Sequence, residues 1–261
     1  MPYLAKIVLY PIKSLDGVEV ENVRVLPSGA LEYDREFAIF DQGGNVVNAK
    51  RHAKIHLLRT EFALLQRTIS LQIPSNDSPE IFHLDRERQS LEATLSDFFG
   101  FAVTLAQNSQ MGFPDDRNCP GPTVISTATL TAVASWFPGV SVEQMRRRIR
   151  ANIEIGGVPA FWEDRLFSPQ SDETVSFRIG DVCFLGIQPC SRCIVPTRDP
   201  DSSKADSNFQ KIFVQQRQAT LPDWAASSRF NHFYRLSVNT RLSTASVART
   251  LQIGNEIATL T

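Results

Sequence analysis

No stretch of this sequence approaches the ~20 consecutive apolar residues that a membrane-spanning helix requires. Its opening, MPYLAKIVLYPIKSL, lacks a charged segment followed by an apolar stretch and a small-residue cleavage site. These absences lead us to expect a cytoplasmic protein, neither secreted nor membrane-anchored. An excess of one charge is lacking too: 27 Lys and Arg face 28 Asp and Glu, for a net charge of -1. A chain so balanced has no bulk positive field to draw it to nucleic acid. It also has no glycine-rich phosphate loop and no alternation of strands with helices, which argues against a Rossmann-type nucleotide site. With only 4 cysteines in 261 residues, a disulfide framework is not expected, and buried thiols or a reactive site are.

What is present suits a globular chain. Hydrophobic residues make up 42%, enough for one large domain or two packed ones. The first third reads as short strands, at Ala5–Tyr10, Val18–Leu26, Glu36–Asp41, Leu57–Leu65 and Thr68–Ile73, with a hairpin turn at Gly43-Gly44. Leu91, Leu95, Phe98 and Phe99 share a helix face that Gly100 ends. Ser126 is placed to cap a second helix, and Ser141 with Gln144 forms a capping box for a third. Beyond Arg150 strands return, with hairpins expected at Gly180-Asp181 and Gly254-Asn255, a polar loop from Asp199 to Asn208 and a helix at Phe209–Gln216. The fold class expected is mainly β with helices, an α+β arrangement.

Three clusters carry chemistry. Cys190-Ser-Arg-Cys193 lies just beyond a strand, between Pro189 and Pro196. A thiolate suits a soft or high-valent metal, and Arg192 beside it favours the ionised sulfur. Inert thiols, a redox pair and half of a zinc site compete with that reading, although Cys119 and Cys183 supply no second C-x-x-C. Spacing alone leaves the pair balanced between an inert and a reactive role. In Tyr10-Pro-Ile-Lys-Ser-Leu-Asp-Gly17, Lys13 and Ser14 follow an apolar strand, where a cation and a hydroxyl suit an anion such as phosphate. Arg35, next to Asp34, reads either as a surface ion pair or as a buried anion clamp. In Arg146-Arg-Arg-Ile-Arg-Ala-Asn152 most of the basic run reads as a solvated helix face, whereas Arg150 and Asn152 stand where helix passes into strand. His52 and His56 lack the glutamate of a zincin motif and read as structural or surface residues.

Taken in order, Tyr-Pro-Ile-Lys-Ser-Leu-x-Gly, Asp-Arg-Glu-Phe, Arg-Ala-Asn-Ile and Cys-Ser-Arg-Cys-Ile-x-x-Thr-x-Asp-Pro resemble the MOSC-domain proteins that carry a MOSC N-terminal β-barrel module, the amidoxime-reducing group among them. The resemblance runs from about Lys6 to the terminal hairpin. It implies a MOSC-type β-barrel at 106–261 packed with an N-terminal β-barrel-like domain at 1–105. It implies a molybdenum cofactor (Mo-molybdopterin) with Cys193 as the protein's ligand to the metal and the catalytic residue. It assigns Lys13, Ser14, Arg35, Arg150, Asn152 and the Ser126-Thr127 helix start to the cofactor's phosphate and pterin. Ser191, Arg192, Thr197 and Asp199 would surround the metal.

The activity implied is reduction of N-hydroxylated or other N-oxygenated small molecules. Electrons would come from a separate donor protein of cytochrome, ferredoxin or flavoprotein type, with no nucleic-acid or membrane partner. The alternative is a sulfur or cofactor carrier using a Cys193 persulfide, as in the MOSC domain of molybdenum-cofactor sulfurases. The sequence departs from the family where Ala151 replaces the usual Pro, where Val158 stands near the position of a second cysteine, and at Asn118-Cys-Pro-Gly-Pro122. These departures bear on substrate range.

Overall fold

The computed structural model describes residues 1–243 and 250–260. The N-terminal part contains β1 (Tyr3–Leu9), β2 (Val18–Val20), β3 (Asn22–Arg24), β4 (Phe37–Asp41), β5 (Arg59–Ala63), β6 (Thr68–Gln72), β7 (Glu80–His83), α1 (Arg88–Phe99) and β8 (Val103–Gln107). The rest contains β9 (Val124–Ser126), α2 (Thr127–Ser135), α3 (Val142–Ile149), β10 (Ile153–Gly156), β11 (Val175–Ile179), β12 (Val182–Ser191), α4 (Phe209–Ala219), β13 (Arg235–Leu242), β14 (Thr250–Gln252) and β15 (Ile257–Thr259). The α+β class expected from the sequence is the one observed.

Among the described residues the strands form one large sheet and three small ones. The large sheet has the order β15-β11-β12-β13-β9-β10-β1-β2, antiparallel except where β9 and β10 run parallel. It therefore combines the first twenty residues with the C-terminal half. The sheets β4-β8 and β5-β6-β7 enclose a separate core with α1, around Phe37, Ile39, Ile69, Leu91 and Leu105. A third apolar cluster joins α2, α3 and α4 through Leu130, Met145, Phe209 and Phe213. The domain boundary expected after residue 105 falls within β8, whose ladder with β4 continues to Gln107.

Local signals fixed the helices. Leu91, Leu95 and Phe99 are the buried residues of α1, and Gly100 ends it at φ 79°, its N–H donating to Ser96. Ser126 caps α2 by accepting from the Thr129 N–H at 3.0 Å. Both bonds of the Ser141–Gln144 capping box are made, at 3.0 and 3.1 Å.

The structure corrects three strand readings. Val18–Leu26 is not one strand: β2 pairs with β1, while β3 leaves that sheet to pair with β14. The chain turns at Gly254-Asn255 as expected, with Gly254 at φ 89°, but the flanking strands do not pair with each other. β14 joins β3 and β15 joins β11, because burial of Leu251 and Ile257 draws them into different sheets. The strand expected from Leu57 starts at Arg59, since Ala53–Leu57 forms a 3-10 turn that buries Ile55.

Candidate functional site

Each sequence cluster meets the others across the join between the two parts. After β1 the chain forms a bridge from Ile12 to Phe37, and the Lys13 N–H donates to the Phe37 carbonyl at 2.8 Å. Ser14 then takes φ 75°, Arg35 takes 51° ahead of β4, and Arg150 takes 56° as the cap of α3. Left-handed backbone costs a non-glycine residue ~1–3 kcal/mol and concentrates at binding sites. Here all three residues line one cavity of about 590 Å³.

Asn152 is buried and organises one part of that cavity. Its Nδ2 donates to Val8 O and to Asp34 Oδ1, both at 3.0 Å. Its Oδ1 accepts from Arg35 Nη1 at 3.3 Å and from the Thr123 N–H at 3.2 Å. Asp34 also pairs with Arg35, so Arg35 is not a surface residue. Burial works to lower its pKa, but Asp34 and Asp115 outweigh that and raise it. Lys13 donates to Phe113 O at 2.8 Å and pairs with Asp115 at 2.7 Å. Burial pulls the Lys13 ammonium below its ordinary pKa, against the opposing field of Asp115.

Arg150 lies 4.0 Å from the centre of the Tyr10 ring and donates to Leu15 O at 2.7 Å. Its pKa too is lowered by burial. Burial pushes the Tyr10 phenol up to about 12, with Arg150 and Arg35 opposing the shift.

The cysteines border the same cavity. β12 carries Cys190 and ends at Ser191, and the loop beyond it holds Cys193. Arg192 Nη1 donates to Cys190 Sγ at 3.4 Å, and Nη2 donates to the Ile149 carbonyl. The sequence placed this guanidinium beside the pair without choosing a sulfur; the structure gives it to Cys190. Arg148 grips the loop from below, donating to Pro196 O at 2.9 Å and Arg198 O at 2.7 Å. The basic run is therefore not a solvated face. Arg148 is buried, Arg146 pairs with Glu154 and Glu143, and Arg147 pairs with Asp201 at 2.6 Å.

Of the residues singled out in the sequence, Lys13, Ser14, Arg35, Arg150, Asn152, Ser191, Arg192 and Cys193 line the cavity. Ser126, Thr127, Thr197 and Asp199 do not. Ser126 caps α2, and its hydroxyl meets that of Thr129, which donates to buried Glu163 at 3.0 Å. Thr127 faces Glu154 at 3.4 Å. Thr197 donates to Ile194 O at 2.6 Å, and Asp199 accepts from the Ser202 N–H at 2.8 Å while pairing with Arg148. Each of the four braces an element beside the cavity.

Sequence reasoning missed several wall residues. Cys119 is buried and lines the cavity with the other two thiols, its pKa pushed up to about 12 by burial and by Asp116. Its place in Asn118-Cys-Pro-Gly-Pro122 was visible, but nothing local links it to a cysteine seventy positions on. His56 is a wall residue as well, with Nε2 buried and unbonded. Burial, then Arg150, Arg198, Arg59 and Arg147, lower its pKa to about 4, so the ring is neutral at pH 7. Ser14, His56 and Arg150 also border a second cavity of about 520 Å³ under β5 and β6.

The main cavity is strongly cationic for a protein of net charge -1. Eight Lys and Arg residues line it, against three carboxylates, Asp34, Asp115 and Asp116. Among the described residues four of its wall atoms, His56 Nε2 and the Nε atoms of Arg148, Arg192 and Arg235, are buried without a partner. Since buried polar groups are ordinarily hydrogen-bonded, such atoms fit a site built for an anionic ligand.

The structure is that of an α+β protein with a cationic, thiol-bearing cavity between its two parts. The family follows from comparison: residues 1–118 match the MOSC N-terminal beta barrel domain and residues 122–257 match the MOSC domain. The chain belongs to the MOSC-domain family. It is similar to mitochondrial amidoxime reducing component 2 of Macaca fascicularis, at 25% identity, with 78% of this chain and 68% of that protein aligned. It is also similar to the molybdenum cofactor sulfurases of Oryza sativa subsp. japonica (22% identical, 77% of this chain) and Danio rerio (25%, 73%). The chain spans only 29% and 27% of those two sulfurases.

Proposed function

We propose that this chain holds a molybdenum cofactor in the cavity between its two parts and reduces N-hydroxylated or other N-oxygenated small molecules. The observation that carries the reading is the meeting of Lys13, Ser14, Arg35, Arg150 and Asn152 with Cys193 on one cationic wall. Among the described residues no cluster of three His, Cys, Asp or Glu side chains suits a metal ion. A metal here would therefore bring most of its own ligands, as a dithiolene cofactor does, and take one thiolate from the protein.

Lys13 and Ser14 would hold the phosphate, with Arg35 and Arg150 supplying charge and Asn152 fixing the direction of Arg35. Cys193 would be the metal's protein ligand, on a loop held by Arg148 and Arg192. The bound cofactor supplies two-electron redox chemistry. Reducing an N–OH group consumes two electrons and two protons and releases water; the electrons would arrive from a donor protein of cytochrome, ferredoxin or flavoprotein type. The neutral His56 ring adds no positive charge to the wall.

Molybdenum content of native protein and of Cys193→Ser, measured beside anaerobic reduction of benzamidoxime by a chemically reduced viologen, tests the reading. A fully metallated protein inert toward every N-oxygenated compound offered would remove the reductase and leave the cofactor site. A second reading, a sulfur or cofactor carrier with a persulfide on Cys193, draws support from the sulfurase relatives and from Cys190 and Cys119 on the same cavity. It predicts that Cys193→Ser abolishes sulfur transfer to an acceptor enzyme.

A further inference from the structure

Lys13 pairs with Asp115 Oδ1 at 2.7 Å and donates to Phe113 O at 2.8 Å. The same carboxylate lies in the field of Arg35, Arg150 and Lys50. Asp34, the other acidic group beside Arg35, is committed elsewhere, to the Tyr10 N–H at 2.9 Å and to Asn152 at 3.0 Å. The cations on this side of the cavity therefore converge on Asp115.

Those cations keep donors in reserve. An ammonium has three N–H donors, and Lys13 has two acceptors. Arg35 directs Nη1 at Asp34 and Asn152, and Arg150 directs Nη2 at Leu15 O. Among the described residues their remaining guanidinium nitrogens have no partner and are not fully buried. Lys50 is exposed, and among the described residues its ammonium has no partner.

Asp115, by contrast, is held loosely. Its side chain is 71% exposed. An ion pair so open to water contributes little. The loop that carries it is anchored at Phe113, whose N–H donates to Arg35 O at 2.9 Å, and at Gly121, whose N–H donates to Thr240 O at 3.1 Å. Between these anchors, among the described residues, the loop is bonded to the rest of the fold by the Lys13–Asp115 pair and by Gln188, which reaches Asp116 at 3.4 Å. A phosphate monoester brings roughly two negative charges and three acceptor oxygens to the same cations, against a single charge on the carboxylate.

We propose that Asp115 is a built-in stand-in for a phosphate group: it holds Lys13 until a phosphate monoester displaces it, and its release frees the loop between residues 113 and 121. The identity of that monoester as the cofactor's phosphate rests on the cofactor reading.

The test titrates inorganic phosphate into the full-length chain prepared without molybdenum cofactor, and into Asp115→Asn, by calorimetry. The variant should bind phosphate about tenfold more tightly, because a competing like charge is gone. Limited trypsin digestion gives a second readout, since Arg117 is exposed on the same loop. Saturating phosphate should speed cleavage after Arg117 in the native chain, and Asp115→Asn should be cut as fast without phosphate. If the variant fails to fold, cleavage of the native chain still decides. Equal or weaker binding by the variant, or cleavage that phosphate slows or leaves unchanged, overturns the stand-in and leaves the cation cluster. Binding of phosphate by neither protein overturns both. Molybdenum is measured on protein from its native host. Its absence there, beside tighter phosphate binding by Asp115→Asn, keeps the stand-in and removes the cofactor reading.

Discussion

Asn152 donates to the Asp34 carboxylate at 3.0 Å, joining residues 118 positions apart. The bond ties the start of β10 to the turn before β4, and Arg35, which pairs with Asp34, is oriented through it. A residue of the C-terminal part thus sets the direction of an N-terminal cation. Replacing Asn152 by Ala removes the donor to both Asp34 and Val8 O. Stability should fall by ~1–3 kcal/mol, the cost of leaving buried acceptors unpaired. Urea denaturation measures that loss, and bound molybdenum should fall with it. An unchanged midpoint together with full metal content would sink the role assigned here.

The two sulfurs of the Cys190–Cys193 pair should behave differently. Cys193→Ser should lose molybdenum, because a neutral hydroxyl is a poor substitute for a soft thiolate. Cys190→Ser should retain it, since Cys190 is bonded to Arg192. Metal analysis of the two variants decides the assignment, and the reverse pattern would make Cys190 the ligand.

Arg148 links α3 to the loop that follows Cys193. Arg148→Met keeps an unbranched apolar side chain but removes the guanidinium that lies over the Phe209 ring and donates to Pro196 O and Arg198 O. The expected loss is ~1.5–3 kcal/mol, the range for hydrogen bonds to a charged group. Amide exchange should accelerate at residues 194–199 before it does elsewhere. Uniform acceleration across the chain would point to a global role instead.

Glu163 introduces a pH dependence. Burial, then Asp164, raises its pKa from 4.5 to about 7, and among the described residues Oε1 has no partner. The folded state therefore holds this proton more tightly than the unfolded chain. The resulting stabilisation is complete below pH 4.5 and is lost as pH rises to about 7. The shift corresponds to ~3 kcal/mol. Glu163→Gln should flatten that part of the stability curve and be the more stable protein at pH 8. Unfolding free energies from pH 4.5 to 8 check this, and parallel curves for the two proteins would refute it.

Much of the local structure was legible because its causes lie within a few residues. Leu91, Leu95, Phe99 and Gly100 specify α1 with its end, and the Ser141–Gln144 box specifies the start of α3. The Lys13-Ser14 and Arg150-Asn152 clusters were visible for a similar reason, as cations and donors at element ends. Arg148 was not separable from Arg146 and Arg147 in a run of like charges. Only its burial beneath Pro196 distinguishes it.

The sequence alone determined the helices, their caps and several turns, and which residue types could meet an anion. Partners across long separations were decided by tertiary structure. Gly254-Asn255 makes a turn in either case, yet β14 pairs with β3 and β15 with β11, because ladder choice depends on which apolar faces must be buried. Likewise the sequence placed Arg192 between two cysteines, and the fold alone assigned it to Cys190. A guanidinium bonds whatever acceptor lies in its plane, and here the Ile149 carbonyl at the end of α3 fixes that plane.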